Sequence, residues 1–219
     1  MDYFSIGRSN DIEIIGYYPQ TSRISRTGFH IDAFNSERQV KPDEFPAFEP
    51  NFALDIHPNA IETDVLDSAV LDFGIIISEK LRSILKEYNL PPHRFYPIKV
   101  FNSSKYYYWL HFISKSEDFI DYGKTEIEIY INRPPFKTDS IKLFNSQREL
   151  LEAKKALPYN KAMKYKNIFL RRNFSEYDLF EISGAQYFTM ISKTLKERFD
   201  IEKITGLEYL EYNKIQKYL

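Results

Sequence analysis

The chain has 219 residues, and its 30 lysines and arginines nearly balance its 31 aspartates and glutamates. This length allows one large domain or two small ones with a substantial core, and a near-neutral charge argues against a general nucleic-acid binder, which needs a positive field. The absence of cysteine excludes disulfides, thiolate metal sites and cysteine nucleophiles. Without a leader-like start or a run of roughly 18 apolar residues, the sequence predicts a cytoplasmic protein with no membrane span.

The early part of the chain is acidic and rich in proline. Ten acidic residues lie between Asp32 and Asp72, against only Arg38 and Lys41, which gives a local balance of −8. The prolines are Pro42, Pro46, Pro50 and Pro58. Each proline removes a backbone donor and biases the preceding residue toward an extended conformation. We therefore expect an irregular acidic arm here rather than a helix.

Three phenylalanines, Phe45, Phe48 and Phe52, lie within this acidic arm. We interpret them as pegs that tie the arm to a core, and the alternative is that they are exposed anchors for a partner. The acidic residues beside them, Asp43, Glu44 and Glu49, are the predicted partner-binding residues.

A later part of the chain is basic. Between Lys137 and Arg172, ten basic residues stand against three acidic ones, a local balance of +7. The uneven charge has two interpretations: solvated faces, or a charged docking surface. On the second interpretation the acidic arm binds a basic protein partner.

Regular structure is predicted from Gly74 onward. Residues 75–77 are three isoleucines, typical of a short buried strand, and Ser78 is a good N-cap for a helix over residues 78–88. The apolar residues of that helix, Leu81, Ile84, Leu85 and Tyr88, share one helical face. We expect the helix to end before Pro91 and Pro92.

The remaining elements are mostly strands. Residues 95–100 and 106–113 are predicted to form a hairpin or adjacent strands, and residues 126–131 a half-buried strand with both glutamates on one face. Further strands are predicted at residues 168–170, 179–182 and 207–211, and helices at residues 147–157 and 192–199. Because strands outnumber helices without regular βαβ alternation, the expected fold class is α+β, with mixed or antiparallel sheets and a few short helices.

One phrase occurs twice. Ile77-Ser78-Glu79-Lys80-Leu81-Arg82 and Ile191-Ser192-Lys193-Thr194-Leu195-Lys196 share a strand residue, a capping serine and a leucine three positions later. Each phrase is followed by a short helix and a new strand. The similarity indicates either a true structural repeat or a convergent strand, cap and helix signature.

The order of these segments resembles a family of bacterial immunity proteins that are encoded beside polymorphic toxins, formerly a domain of unknown function. The resemblance covers roughly Leu66 to Tyr212 and is best over residues 74–110 and 178–209, where Phe95-Tyr96-Pro97-Ile98 and Ile204-Thr205-Gly206-Leu207-Glu208-Tyr209 follow the two Ile-Ser phrases. The family tends to carry an arginine after the phenylalanine before the second helix, whereas Glu181 follows Phe180 here. A role that depends on that arginine is not carried over.

The resemblance also suggests how the chain divides. We expect a variable N-terminal part over residues 1–60, which contains the acidic arm, and an immunity-like α+β domain over residues 61–219. The family implies a protein that binds and neutralises a cognate toxin.

Residues that could carry chemistry form no known motif. His30, His57, His93 and His111 lack metal-ligand spacing, and the seven glycines are too dispersed for a phosphate loop. Glu126 and Glu128 are interpreted as solvent-facing, with paired carboxylates or a cation site as the alternative. The cluster Glu117, Asp118 and Asp121 is interpreted as a solvated helix start or turn, with a metal site as the alternative.

The aromatic run Tyr106-Tyr107-Tyr108-Trp109 could stack on single-stranded nucleic acid, but strand alternation places at least one pair of rings in the core. We therefore predict a non-enzymatic immunity protein with no catalytic residue, metal or cofactor, whose partner is a cognate toxin and neither nucleic acid nor membrane. The alternatives are a hydrolase or nuclease whose carboxylates gather only in space, and a non-catalytic adaptor module. No oligomeric state is predicted.

Overall fold

The computed structural model describes residues 2–23, 28–67 and 71–216. The strands are Tyr3–Arg8 (β1), Thr21–Arg23 (β2), Ala53–Ile56 (β3), Val65–Leu66 (β4), Ile75–Ser78 (β5), His93–Phe101 (β6), Tyr107–Phe112 (β7), Glu126–Ile131 (β8), Thr138–Lys142 (β9), Lys161–Phe169 (β10), Leu179–Ile182 (β11), Phe188–Ser192 (β12), Leu207–Glu211 (β13) and Ile215–Gln216 (β14). The α-helices are Ile12–Ile15 (α1), Glu79–Leu85 (α2), Ser116–Phe119 (α3), Gln147–Lys155 (α4) and Lys193–Ile201 (α5). The expected α+β class is confirmed, with strands predominating.

The described strands form three sheets, with the orders β11-β12-β1-β13, β14-β10-β8-β9 and β2-β3-β6-β7-β5-β4. The pairs β6 with β7, β5 with β7, β8 with β10 and β11 with β12 are antiparallel. The pairs β3 with β6 and β10 with β14 are parallel.

The chain divides into two compact units. Unit 1 comprises Met1–Ser5, Ser114–Lys193 and Leu210–Leu219, and unit 2 comprises Ile6–Ile113 and Thr194–Tyr209. The division predicted at residue 60 separates a variable part from the part that resembles the family. The two structural units do not test that division, so it stays a prediction. Within unit 2, residues on both sides of that position belong to the same six-stranded sheet.

The core of unit 2 is built around Trp109. Its side chain is fully buried, and its ring contacts Phe52, Phe73 and Tyr96 at centroid distances of 5.7, 5.2 and 5.8 Å. The indole Nε1 donates to the Phe73 carbonyl at 3.2 Å, which satisfies its one donor. Gly74 has a φ of 73°, and any side chain there would clash with the Trp109 ring.

Unit 1 has its own core, formed between β8, β10, β11, β12 and α4. Tyr165, Phe180 and Leu150 are among its fully buried side chains. The Tyr165 hydroxyl donates to the Ser183 carbonyl at 2.7 Å. The predicted helix at residues 147–157 is confirmed as α4, which begins after the N-cap Ser146.

Both predicted Ser-capped helices are present. The Ser78 hydroxyl accepts a hydrogen bond from the Leu81 backbone N–H at 3.2 Å at the start of α2. Leu81 is 2% exposed and Leu195 of α5 is fully buried, as predicted. The strands predicted after each helix are β6 and β13.

The acidic arm is not irregular throughout, and this expectation was wrong for residues 53–56. Between Pro50 and Pro58 the chain forms β3, which lies between β2 and β6 in the six-stranded sheet. Phe52 is buried and Phe48 packs against the same core, as the peg interpretation predicts. The strands β1, β2, β4, β9 and β14 and the first part of β10 were not predicted.

The two Ile-Ser phrases begin equivalent structures. Ser78 donates its hydroxyl to the Asp64 carboxylate at 2.8 Å, and Ser192 donates to the Asp178 carboxylate at 2.6 Å; in each case the aspartate lies 14 residues earlier. The backbone N–H of each serine also donates to the carbonyl of the same aspartate, at 2.8 and 2.9 Å.

The sheets around the two phrases have matching strand orders. In unit 2 the order is β6-β7-β5-β4, and the sheet that contains β12 has the order β13-β1-β12-β11. The residue after each serine bonds equivalently: Glu79 N–H donates to the Tyr106 carbonyl and Lys193 N–H to the Asp2 carbonyl, both at 3.0 Å. The repeat is therefore structural, with β1 in the place of β7.

Candidate partner-binding surface

The predicted partner-binding residues Asp43, Glu44 and Glu49 all lie on the surface of unit 2 and are exposed. Glu44 forms an ion pair with Lys41 at 2.9 Å, and the hydrogen bond to Glu44 raises the pKa of the Lys41 ammonium. An exposed pair of this kind contributes little to stability, so these carboxylates are available to solvent and to a partner.

The backbone that carries these carboxylates is fixed by neighbouring strands. Arg94 of β6 donates to the Pro46 carbonyl at 3.0 Å, and the His111 ring Nε2 of β7 lies 3.3 Å from the Pro42 carbonyl. The Phe45 ring lies under the Arg94 guanidinium at 5.0 Å and edge-on to His111 at 5.0 Å. The acidic segment is therefore held against the sheet at several points.

Other members of the acidic run have structural roles. Glu37, Asp64 and Asp67 are each about 6% exposed. Glu37 pairs with Arg23, and Asp67 lies 3.5 Å from Arg8. The local balance of −8 counted from the sequence therefore overstates the charge on the surface of this segment.

Phe34 is an exposed residue of the acidic run that the sequence reasoning did not single out. Its side chain is 81% exposed, and its ring lies edge-on to Phe48 with the centroids 6.5 Å apart. Asp32 is exposed nearby in the chain, and Glu49 follows Phe48. The only signal in the sequence is the cluster of turn-forming residues around Phe34, because buried and exposed phenylalanines look alike in a sequence.

Unit 2 also contains an open cavity of about 560 Å³ beside the start of α2. Its apolar lining is formed by Ile14, Ile61 and Tyr106, which are 38%, 50% and 80% exposed. Concave surfaces with exposed apolar rims are typical of binding sites. None of these three residues was predicted as a site residue.

The polar floor of the cavity is formed by Asp64, Ser78 and Thr205. One Asp64 oxygen accepts from Ser78, and the other accepts from the Thr205 N–H and hydroxyl at 3.1 and 3.2 Å. These bonds join the start of α2 to the loop before β13. The Asp64 carboxylate is thus part of the structural support of the cavity.

The charged lining of the cavity is also held in place. Glu62 accepts hydrogen bonds from the Ser103 hydroxyl and the Ser104 N–H at 3.1 and 3.0 Å, while Lys105 Nζ donates to the Glu62 carbonyl at 2.8 Å. Lys80 donates to the Glu202 carbonyl after α5. The turn between β6 and β7 is thereby fastened to the segment before β4.

Glu126 and Glu128 lie on one face of β8, as predicted, and each carboxylate is 3.1 to 3.2 Å from a lysine of β10. Lys166 and Asn167 hydrogen-bond to Glu126 and lower the pKa of its carboxyl. A hydrogen bond from Thr138 and the nearby Lys164 lower the pKa of Glu128. Both glutamates are therefore cross-strand ion-pair partners in this structure.

His111 lies in the core of unit 2. It is fully buried and lies parallel to the Trp109 ring, with centroids 5.8 Å apart. Burial lowers the pKa of the imidazole. Two of the four rings of the aromatic run, Tyr107 and Trp109, are also buried, whereas Tyr106 is exposed and Tyr108 lies 4.3 Å beneath the Arg82 guanidinium.

The acidic cluster at residues 117–121 is a helix start followed by a turn. Glu117 and Asp118 occupy the first turn of α3, where carboxylates interact favourably with free backbone N–H groups, and Asp121 lies 3.9 Å from Lys124. Among the residues that the structure describes, no three His, Cys, Asp or Glu side chains come together in a way that could hold a metal ion.

A scan against models of protein families finds no match, and a search of curated proteins finds none either. Within residues 2–23, 28–67 and 71–216, no helix is both long and apolar enough to cross a membrane; α4 and α5, of nine residues each, are the longest.

Proposed function

We propose that this chain is a cytoplasmic immunity protein that binds and neutralises a cognate bacterial toxin, without catalysis and without a cofactor. The observation that carries the proposal is the exposure of Asp43, Glu44 and Glu49 on a segment whose backbone is fixed to the sheet. A rigid acidic surface can bind a basic partner without the cost of ordering a loop.

The chemistry of such a surface suits the neutralisation of a basic toxin. Exposed carboxylates accelerate association with a cationic protein, and fixed carboxylates can occupy the place of a polyanionic substrate. The resemblance to the immunity family supports the same partner, since it rests on the two Ile-Ser phrases that begin α2 and α5. The open cavity beside α2 offers unit 2 a further apolar contact surface.

The proposal is tested with the product of the neighbouring gene. The product of the neighbouring gene, which this proposal identifies as the toxin, is expressed in bacteria with and without the full chain, and growth is measured. Restored growth and a direct complex between the purified proteins are expected. Growth arrest despite stable expression of the full chain, with no complex, would contradict the proposal.

The acidic residues are tested by reversing Asp43, Glu44 and Glu49 to lysine together. The association rate should fall by about tenfold or more at low salt and by less at high salt, because screening at physiological ionic strength acts beyond about 8 Å. A matched control reverses the exposed Glu152, Glu197 and Glu211, which changes the net charge by the same amount. Equal effects of the two triple variants would show that net charge alone, and not this surface, sets the rate.

A further inference from the structure

Phe34 combines exposure with a fixed backbone. The Ala33 N–H donates to the His30 carbonyl at 3.1 Å, and the Ser36 N–H donates to the Ala33 carbonyl at 3.0 Å, so consecutive turns hold the residue from both sides. The Asn51 N–H donates to the Asn35 carbonyl at 2.8 Å and ties this turn to the segment before β3. Ser36, two residues after Phe34, is fully buried.

A large apolar side chain that is 81% exposed on such a support is costly in water, and it loses little conformational freedom when a partner covers it. The Phe48 ring, half-buried in the unit 2 core, contacts Phe34 from one side and limits its orientations. These are the properties of an interface anchor, an aromatic side chain that enters a recess of the partner.

The charges around Phe34 indicate the kind of partner. Asp32 is exposed two residues before Phe34, and Glu49 is exposed next to Phe48. The exposed cations that follow in the chain are Arg38 and Lys41, of which Lys41 pairs with Glu44, while Arg23 is engaged with Glu37. A partner with an apolar recess bordered by lysine or arginine is complementary to this arrangement.

We infer that Phe34 is the anchor of the toxin-binding surface and inserts into an apolar recess of the toxin, whose bordering basic residues face Asp32 and Glu49. This inference rests on the proposed function, since it identifies the residue that anchors the acidic surface to its partner. The acidic residues govern the rate of association, whereas Phe34 governs the lifetime of the complex.

The chain offers a matched control in Phe136. This phenylalanine is 62% exposed but belongs to unit 1, where its neighbours in the chain include the exposed Arg133 and Lys137. The two residues are alike in type and in exposure and differ in the sign of the surrounding charge. Their alanine variants remove the same side chain from an acidic and from a basic surface.

The experiment measures binding of the purified full chain to an inactivated toxic domain from the neighbouring gene, by surface plasmon resonance. Phe34→Ala should weaken binding by about 30-fold or more, mainly through faster dissociation, while Phe136→Ala should change binding by less than about threefold. Circular dichroism and the unfolding midpoint of both variants should match the parent, because both side chains are exposed.

The possible outcomes separate this inference from the proposed function. If the parent chain binds and Phe34→Ala binds within threefold of it, Phe34 is not the anchor, and the immunity proposal stands. If Phe34→Ala and Phe136→Ala weaken binding equally, the assignment to the acidic surface is wrong. Absence of binding by the parent chain would contradict the proposed function itself.

Discussion

The structures that begin at Asp64 and at Asp178 are alike where their helices start and different three residues after each aspartate. Both aspartates accept the hydroxyl of a serine 14 residues later. The residues three positions after these aspartates are Asp67 and Glu181. Asp67 lies 3.5 Å from Arg8, with which it forms an ion pair, whereas burial raises the pKa of Glu181 to about 7. The hydrogen bonds at the helix start are therefore common to both copies. The acidic residue three positions after the aspartate is an ion-pair partner in one copy and a carboxyl with a raised pKa in the other.

A second difference concerns what lies beside the start of each helix. In unit 2 the Asp64 carboxylate also accepts two hydrogen bonds from Thr205 and forms the floor of the open cavity. In unit 1 the residue after Ser192 bonds to Asp2, and Tyr3 of the same strand is 2% exposed. The residues of unit 2 that match Asp2 and Tyr3 are Tyr106, which accepts from the Glu79 N–H, and Tyr107, which is also 2% exposed. This strand is therefore common to both copies, and the cavity lies beside the helix of the first.

The largest expected effect comes from the leucine that both copies bury. Leu81→Ala and Leu195→Ala should each lower the free energy of unfolding by about 2 to 5 kcal/mol, because each leaves a cavity beneath a helix. Urea unfolding followed by fluorescence and far-UV circular dichroism measures the loss. Leu210→Ala, at a position 71% exposed, is the control and should change stability by less than about 0.5 kcal/mol. A loss below about 1 kcal/mol at either buried site would show that the copies are not equivalent in packing.

The next effect tests the carboxylate that the copies share. Asp64→Asn should lower the free energy of unfolding by about 2 kcal/mol, because the amide oxygen can replace only one of the two carboxylate oxygens, and the donating NH2 group would then face either Ser78 or Thr205. Asp178→Asn should also destabilise, through its bond with Ser192. Asp72→Asn, at an exposed position, is the control. Thr205→Val and the double variant Asp64→Asn/Thr205→Val complete a double-mutant cycle. If the loss in the double variant equals the sum of the losses in the two single variants, the bond between these side chains contributes nothing.

The smallest effect sharpens the difference at the third residue. Burial disfavours the charge of the Glu181 carboxylate and raises the pKa of this group from its ordinary value of 4.5 to about 7. The folded state therefore holds the proton more tightly, so this contribution to stability is complete below pH 4.5 and is lost as the pH rises to 7.

Glu181→Gln should consequently lose less stability than the parent between pH 5 and pH 8, by up to about 2 kcal/mol. Unfolding midpoints in urea at the two pH values measure the difference. The control is Glu197→Gln, at an exposed position of α5, which should follow the parent. Parallel pH profiles for the parent and Glu181→Gln would contradict a buried, protonated Glu181.

Local patterns were sufficient to predict much of the fold. The Ser78 cap, the leucine spacing of α2 and the alternation in β8 each depend on neighbours a few residues away, and all three are present. Most of the strands that were missed pair with distant segments, whereas β9 pairs with β8, the strand just before it. β1 and β3 carry no turn signals strong enough to predict them, and β3 lies between prolines in a segment that looked irregular.

The candidate site was less predictable than the fold, because charge in a sequence does not distinguish surface from interior. Asp43 and Glu44 are exposed, but Asp67 of the same acidic run is buried against residues far away in the chain. The cavity depends on Ile14, Tyr106 and Thr205, which come together only through folding. A count of charges could indicate the acidic segment but not which of its carboxylates face a partner.

The position of β1 in the repeat has a consequence for the order of events during synthesis. β1 lies beside β12 and β13, at residues 188–192 and 207–211, so it leaves the ribosome long before either neighbour exists. At about 5–20 residues per second, this interval is roughly 10 to 40 seconds. The strands of the six-stranded sheet all precede residue 113 and can pair during that time. Tyr3 and Ser5 of β1 are buried only later, when β12 and β13 have been made and complete the second copy of the repeat.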